Sequence, residues 1–426
     1  MKQKRILFSL ILCIILAVVL ASCPSETEMQ TDTGRFVHTN QELTLVDTTA
    51  TTAYSDTAAS KNAKTLNAAP GNTVITEKAV VSSPQTSDGT VLQASDVCIG
   101  PNGKYAFVTY MLQGESNSGM LDIIDVSNTA WPELLYSIDF SKTDLSAAAY
   151  DGSYIYIGGQ SLENTVTGKY AYIRALKFTG NKPDTSSTAL ELHLPGYFTT
   201  DIAADGSLVY VTTGTENSDG TLGAGLFIFS FDGSSFTQVA HIQLSDARSV
   251  AVSSSGEFAV FEAKSSLHNT QSTVHLYTYS GGLTEKSTLA VEADILDQSK
   301  AGLAFIGSYL MLAANRSGVK VINNGTNLVT IPAPALTTLS PDLQPSNTVS
   351  DGFANSKKIY FISNGEAGLW VGDADNITAS SYGLSGSIRF SGGVSVNDVA
   401  AKNSTVVAAT GTGGVHILEL ASPASR

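Results

Sequence analysis

Beyond residue 90 the chain alternates apolar and polar positions with period 2, in runs broken by Gly, Asn, Asp and Ser. That spacing predicts half-buried β-strands and no amphipathic helix. The runs recur in a fixed order: a short Asp- or Ser-led strand, a turn, an aromatic and Val/Ile-rich strand, a variable loop, then a strand opening on Gly or another small residue. Leading strands open at Ser95-Asp96-Val97, Leu145-Ser146-Ala147, Thr200-Asp201-Ile202, Arg248-Ser249-Val250, Ala301-Gly302-Leu303, Ser350-Asp351-Gly352 and Asn397-Asp398-Val399. Successive spacings are 50, 55, 48, 53, 49 and 47 residues. Second strands such as Tyr105 to Thr109, third strands such as Met120 to Val126 and fourth strands such as Leu134 to Phe140 fill each unit. A four-stranded unit of about fifty residues is the blade of a β-propeller. The predicted fold is all-β, a seven-bladed β-propeller in which each blade packs on its neighbours, so no oversized single core is needed.

The seventh unit stops near Leu420 with three strands. Thr73 to Val81, alternating and β-branched, is the candidate closing strand, with Thr90 to Gln93 as the other donor. The propeller is placed at 73–421, with its repeats at 95–420. Met120-Leu121-Asp122-Ile123-Ile124-Asp125-Val126-Ser127, followed by Pro132, resembles the LVIVD repeat of bacterial surface propellers. Further copies are Gly318-Val319-Lys320-Val321-Ile322 and Gly368-Leu369-Trp370-Val371, each after a loop Asn (Asn315, Asn364), and Gly414-Val415-His416-Ile417. The resemblance implies an exported propeller of unassigned biochemical role.

Ahead of the repeats, Lys2, Lys4 and Arg5 precede an apolar run from Ile6 to Leu20, a secretory signal too short to span a bilayer. Leu20-Ala21-Ser22-Cys23 resembles the lipobox of bacterial lipoproteins, which implies cleavage after residue 22 and a lipid such as palmitate on Cys23. The expected location is the cell envelope, outside the cytoplasm and anchored to a membrane only through that lipid. Residues 23–72, rich in Thr, Ser and Ala and without periodicity, read as a disordered tether spanning roughly 35 to 42 Å. Cys13 leaves with the signal and Cys23 carries lipid, so Cys98 has no disulfide partner. Its apolar neighbours make it a small buried hydrophobe.

Composition narrows the partners. Charged residues are 15% of the chain, well below the usual share, and the formal net charge of -14 becomes -17 once Lys2, Lys4 and Arg5 are removed. An acidic surface excludes nucleic acid, whose phosphates require clustered Lys and Arg. The expected partner is an envelope protein or glycan, bound by a monomeric head.

Blade topology puts the second-to-third loops and the starts of the inner strands on one face. Those loops are long in the first four units and short in the last three, and loops on a rigid frame are where binding resides. Asp96, Asp201, Asp351 and Asp398 would ring the channel mouth there, with Arg248 beside them. Two readings follow: a cation or polar-ligand site, or side chains that accept backbone N–H bonds and fix their own turns. Tyr110, Tyr197, Phe198, Glu216, Asp219 and Arg248 are the candidate binding anchors, by the enrichment of aromatics and Arg at interfaces. Trp131 and Trp370 read as packing residues. Histidines at matching strand positions (His275 with His416, His193 with His241) are separated around the ring and cannot share one ion. No nucleophile elbow, phosphate loop or dinucleotide fingerprint is present, and Asp373-Ala374-Asp375-Asn376 lacks the remainder of a calcium loop. The leading reading is a binding or scaffold module with no cofactor and no catalytic residues. The alternative is a lactonase-like propeller hydrolase holding Ca2+ or another divalent cation at the channel mouth.

Overall fold

A computed structural model describes residues 29–30, 34–43, 45–46, 65–66, 73–114, 116–162, 169–184, 190–214, 224–264, 271–293, 295, 299–334 and 345–421. Among these residues every regular element is a β-strand, and the strands form seven sheets in a ring. Blade one runs outward from Gln93–Ile99 through Tyr105–Met111 and Ser118–Asp125 to Glu133–Ser141. Blades two to six repeat this meander, with inner strands Thr143–Tyr150, Phe198–Asp205, Ala247–Val252, Leu303–Ile306 and Thr348–Ala354. The seventh is built on Asp398–Lys402, Thr405–Ala409 and Val415–Ala421.

The core is divided into seven apolar clusters, one at each junction between neighbouring blades. Side chains of one strand alternate between two junctions. Val406 and Ala408 face blade six, whereas Val407 and Ala409 face blade one. Second strands are consequently buried on both sides and begin as apolar runs, as in Tyr105 to Val108.

Val74–Val81 is the strand that closes the ring. It pairs antiparallel with Val415–Ala421, from Val81 opposite Val415 to Val74 opposite Ala421. The other donor goes elsewhere: Val91 bridges Gln85, and Gln93 already belongs to the inner strand of blade one. Glycines make this pairing possible. Gly318, Gly368 and Gly414 open the third strands of blades five to seven at φ +72, +85 and +84, and a Cβ on any of them would overlap a carbonyl oxygen of the outer strand. Asn315 shares the left-handed turn place of Gly365 and Gly411, so the two loop asparagines of the repeat motif are not equivalent.

The structure departs from the expected tether over several short stretches. Met29–Gln30 pairs with the outer strand of blade one, Phe36–Leu43 with the closing strand of blade seven, and Leu45–Val46 with the outer strand of blade six. Thr65–Leu66 pairs with Leu45–Val46 in turn. An open sheet edge needs only main-chain partners, so a segment without apolar periodicity can pair there. A few apolar residues then seal it, among them Leu45, buried in the core between blades six and seven, and Phe36, packed between blades seven and one.

Arg35 pins this strap across the closure. Its guanidinium bonds both carboxylate oxygens of buried Asp122 (2.6 and 3.2 Å), donates to Ser137 Oγ (3.0 Å) and Tyr110 Oη (3.4 Å), and reaches the Ser82 carbonyl at 2.7 Å. Blade seven is thereby joined to blade one through a pair removed from water. Removing one partner of such a pair costs about 3 to 5 kcal/mol. Arg35→Ala is expected to lower denaturant-unfolding stability by about that amount. Gly414→Ala is expected to loosen the closing strand, read as faster amide exchange over residues 74–81; native-like protection in either variant would contradict this account of closure.

Candidate functional site

The channel mouth is built by two adjacent positions at the start of the inner strand, both of them polar in five of the seven blades. In blades one to four the ladder skips a residue, at Ser95, Ser146, Thr200 and Arg248. Each of these donates to a main-chain carbonyl of the next blade: Ser95 to Leu145 (2.7 Å), Ser146 to Thr199 (2.7 Å), Thr200 to Ala247 (2.7 Å) and Arg248 to Ser299 (3.0 Å). Asn347 and Asn397 do the same toward Val396 (3.3 Å) and Ala94 (3.0 Å). Outside blade two, where it is Ala147, and blade five, the following residue accepts from a main-chain N–H of the next blade. Asp398 receives Val97 N–H (2.9 Å), Asp96 receives Ala148 (2.8 Å), Asp201 receives Val250 (3.0 Å), Ser249 receives Leu303 (2.9 Å) and Thr348 receives Val399 (3.3 Å).

The aspartates are therefore structural acceptors, but their partners lie in the neighbouring blade as well as in their own turn. Asp201 Oδ1 and Asp398 Oδ1 also take their own next residue's N–H, both at 2.8 Å. Asp351 does not belong to the set. It stands opposite Tyr360, whereas Thr348 occupies the place of Asp96, so Asp351 is exposed three residues further along the strand. Arg248, expected as a ligand anchor, spends its guanidinium on Asp246 (2.8 Å) and the Ser299 carbonyl.

Blade five lacks both polar groups, having Ala301 and Gly302 there, and Lys300 immediately precedes them. Its ammonium crosses the mouth to bond Asp96 and stands 3.5 Å from Asp398. The sequence reading missed Lys300. The only signal was the loss of polar side chains from one unit beside an isolated cation. Asp201 stands within electrostatic reach of Lys300 and Asp398 and accepts from the Ser249 hydroxyl at 2.6 Å. Burial raises the Asp96 carboxyl well above its ordinary value despite Lys300, and raises Asp201 to about 6 against the Ser249 and Val250 bonds. Lys300 is held protonated: burial opposes its charge, but Asp398 and Asp96 outweigh it. The half-buried Cys98 thiol next to this cluster is raised by desolvation, then by Asp96 and Asp398.

Other anchors separate. Tyr110 is fully buried with its hydroxyl on Asp122 (2.7 Å), so it is part of the closure and not of a binding face; an apolar junction between blades takes the ring. Tyr197 and Phe198 stay half-buried on the loop face, and the Tyr197 ring meets Tyr170 edge-on at 6.1 Å. Cys23, Glu216 and Asp219 lie outside the described residues. Trp370 is buried in a strand, but Trp131, in the turn before the outer strand of blade one, is 58% exposed. The histidines stay in separate blades: His241 stacks on Phe227 and His416 Nδ1 meets Glu77 at 2.6 Å. Asp373 lies within a strand, not a free turn, and binds Asp375 N–H and the Asn376 amide itself. Among the described residues no group of three or more His, Cys, Asp or Glu side chains is arranged to hold a metal ion.

This architecture defines the protein as a seven-bladed β-propeller. The solved structure of U3-55K is similar at 11% identity, covering 80% of this chain and 98% of that one with a TM-score of 0.55. A catalytically inactive virginiamycin B lyase from Staphylococcus aureus, solved with quinupristin, is similar at 10% identity, covering 81% and 99% with a TM-score of 0.51. At such identities the likeness concerns the fold. No protein-family model and no curated protein sequence matches the chain.

The raised carboxyls set a pH dependence. Asp201, and Asp144 raised by burial to about 6 despite bonds from Ser118 and Leu112 N–H, hold their protons more tightly folded than unfolded. Their contribution to stability is complete below the unfolded value near 4 and is lost as pH rises through about 6. Thermal melts are expected to rise from pH 7.5 toward pH 5, and Asp201→Asn to flatten that slope. Lys300→Met should cost about 2 to 4 kcal/mol at pH 7.5, by stranding Asp96 and Asp398, and less at pH 5. An equal loss at both values would exclude the ion-pair account.

Proposed function

We propose that this chain is an exported, lipid-anchored propeller of the LVIVD-repeat type that binds an envelope protein or glycan through its loop face, without catalysis. The carrying observation is an aromatic patch beside the long loops. Tyr170, Tyr197 and Phe198 are half-buried at the junction of blades two and three, and Leu162 nearby is 52% exposed. Half-exposed aromatics on a rigid frame give a partner contact area at low entropic cost. The signal-like N-terminus and the Cys23 motif support export and anchoring. The Met120 to Ser127 match, which forms most of the third strand of blade one, supports the repeat type.

The hydrolase alternative requires a divalent cation at the mouth. The donor set does not fit one: Asp96, Asp201 and Asp398 direct their oxygens to main-chain N–H groups, Ser249 and Lys300, and the Lys300 ammonium takes the place between two of them.

Binding is tested with isolated cell-wall glycan and envelope membrane fractions. The double variant Tyr197→Ala/Phe198→Ala is expected to weaken retention by about 10- to 100-fold with an unchanged melting temperature. Undiminished retention would move the surface elsewhere. Metabolic labelling with an alkyne fatty acid should mark the chain and be lost in Cys23→Ser. Millimolar Ca2+ should leave the melting temperature unchanged, whereas a rise would favour the hydrolase.

A further inference from the structure

The path of the strap turns a lipid on Cys23 into a constraint on orientation. Residue 29 follows residue 23 by six steps, and Met29 already pairs with the outer strand of blade one. Even fully extended, that leash reaches only about 20 Å. It cannot swing a ring freely at the distance that a tether running to residue 72 would allow. Arg35 then fixes the strap into the closure, and Phe36–Leu43 continues along the rim of blade seven.

Among the described residues, two of the five exposed large apolar side chains lie on this rim. Val37 is 55% and Trp131 58% exposed. The Trp131 ring, from the turn before the outer strand of blade one, stacks on His38 of the strap at 3.8 Å, and Phe36 meets His38 edge-on at 4.9 Å. A large amphipathic ring held rigidly and half in solvent suits the boundary between lipid headgroups and hydrocarbon. The contact is apolar and short-ranged, so the acidity of the chain does not prevent it against zwitterionic lipid.

We propose that the outer rim of blades one and seven, around Trp131 and the His38 ring it stacks on, rests edge-on against the bilayer that holds the Cys23 lipid. The partner is a lipid surface, and the inference rests on the lipid-anchored reading above. The loop face then opens sideways along the membrane, within reach of components of the same envelope layer.

The test uses the full mature chain, lipidated on Cys23, in phosphatidylcholine vesicles with brominated acyl chains. The chain has two tryptophans, and Trp370 is buried in blade six. Flotation reports the anchor and loss of tryptophan emission reports the docking. Docking predicts flotation with quenching, loss of the quenched component in Trp131→Phe, and weaker quenching when a Gly/Ser spacer of about 30 residues is inserted after Cys23. Flotation without quenching, or quenching indifferent to the spacer, overturns the edge-on docking while leaving the anchor intact. Failure to float overturns the anchored reading and the docking with it.

Discussion

Each blade is a sheet with two apolar faces, and a sheet of that kind can only exist between two neighbours. Every other feature of the molecule follows from the need to give the first and last blades a partner. The apolar junction between blades seven and one draws residues from both ends of the ring, with Ala79 and Val81 from the closing strand beside Val407, Val415 and Tyr110. Without Val74–Val81 in place, blade seven loses its outer strand and that junction loses a wall. The strap and the Arg35–Asp122 pair reinforce the same seam from outside.

Around the channel the constraint is polar. Inner strands of adjacent blades do not pair as a sheet, so their main-chain groups need other partners in a confined space. In five of the seven blades the chain answers with two residues, one donating to the next blade's carbonyl and one accepting from its N–H. Where a donor is missing, as at Ala301, the Asn315 amide reaches the Pro345 carbonyl at 3.4 Å. Lys300 balances the carboxylates that the acceptor positions collect.

These assignments shape any function. Charges at the mouth are engaged with one another and with the frame, and the proposed recognition accordingly rests on half-exposed aromatics such as Tyr197. The low charge content has the same origin: side chains that fill blade junctions are apolar or short and polar, so long charged residues have few places. In the proposed orientation, the short step from Cys23 to Met29 and the exposed Trp131 bear on how that frame is presented to the membrane.

Alternation, glycine placement and the fifty-residue recurrence were legible in the sequence because they are local: strand period, turn conformation and repeat length are set by neighbours along the chain. The choice of Val74–Val81 as ring-closing strand was also within reach, from its β-branched alternation. Register and partnership were not. Asp351 looked equivalent to Asp96 until the ladder put Thr348 in that place. Tyr110 and Arg248 looked like surface anchors, but their polar groups are satisfied by residues that folding brings alongside them. Val97 meets Asp398 301 residues away, Lys300 meets Asp96 across 204 and Arg35 meets Asp122 across 87. Periodicity specifies which faces must be buried, whereas only the closed ring decides which groups meet across them, because those contacts run between blades and leave no pattern along the chain.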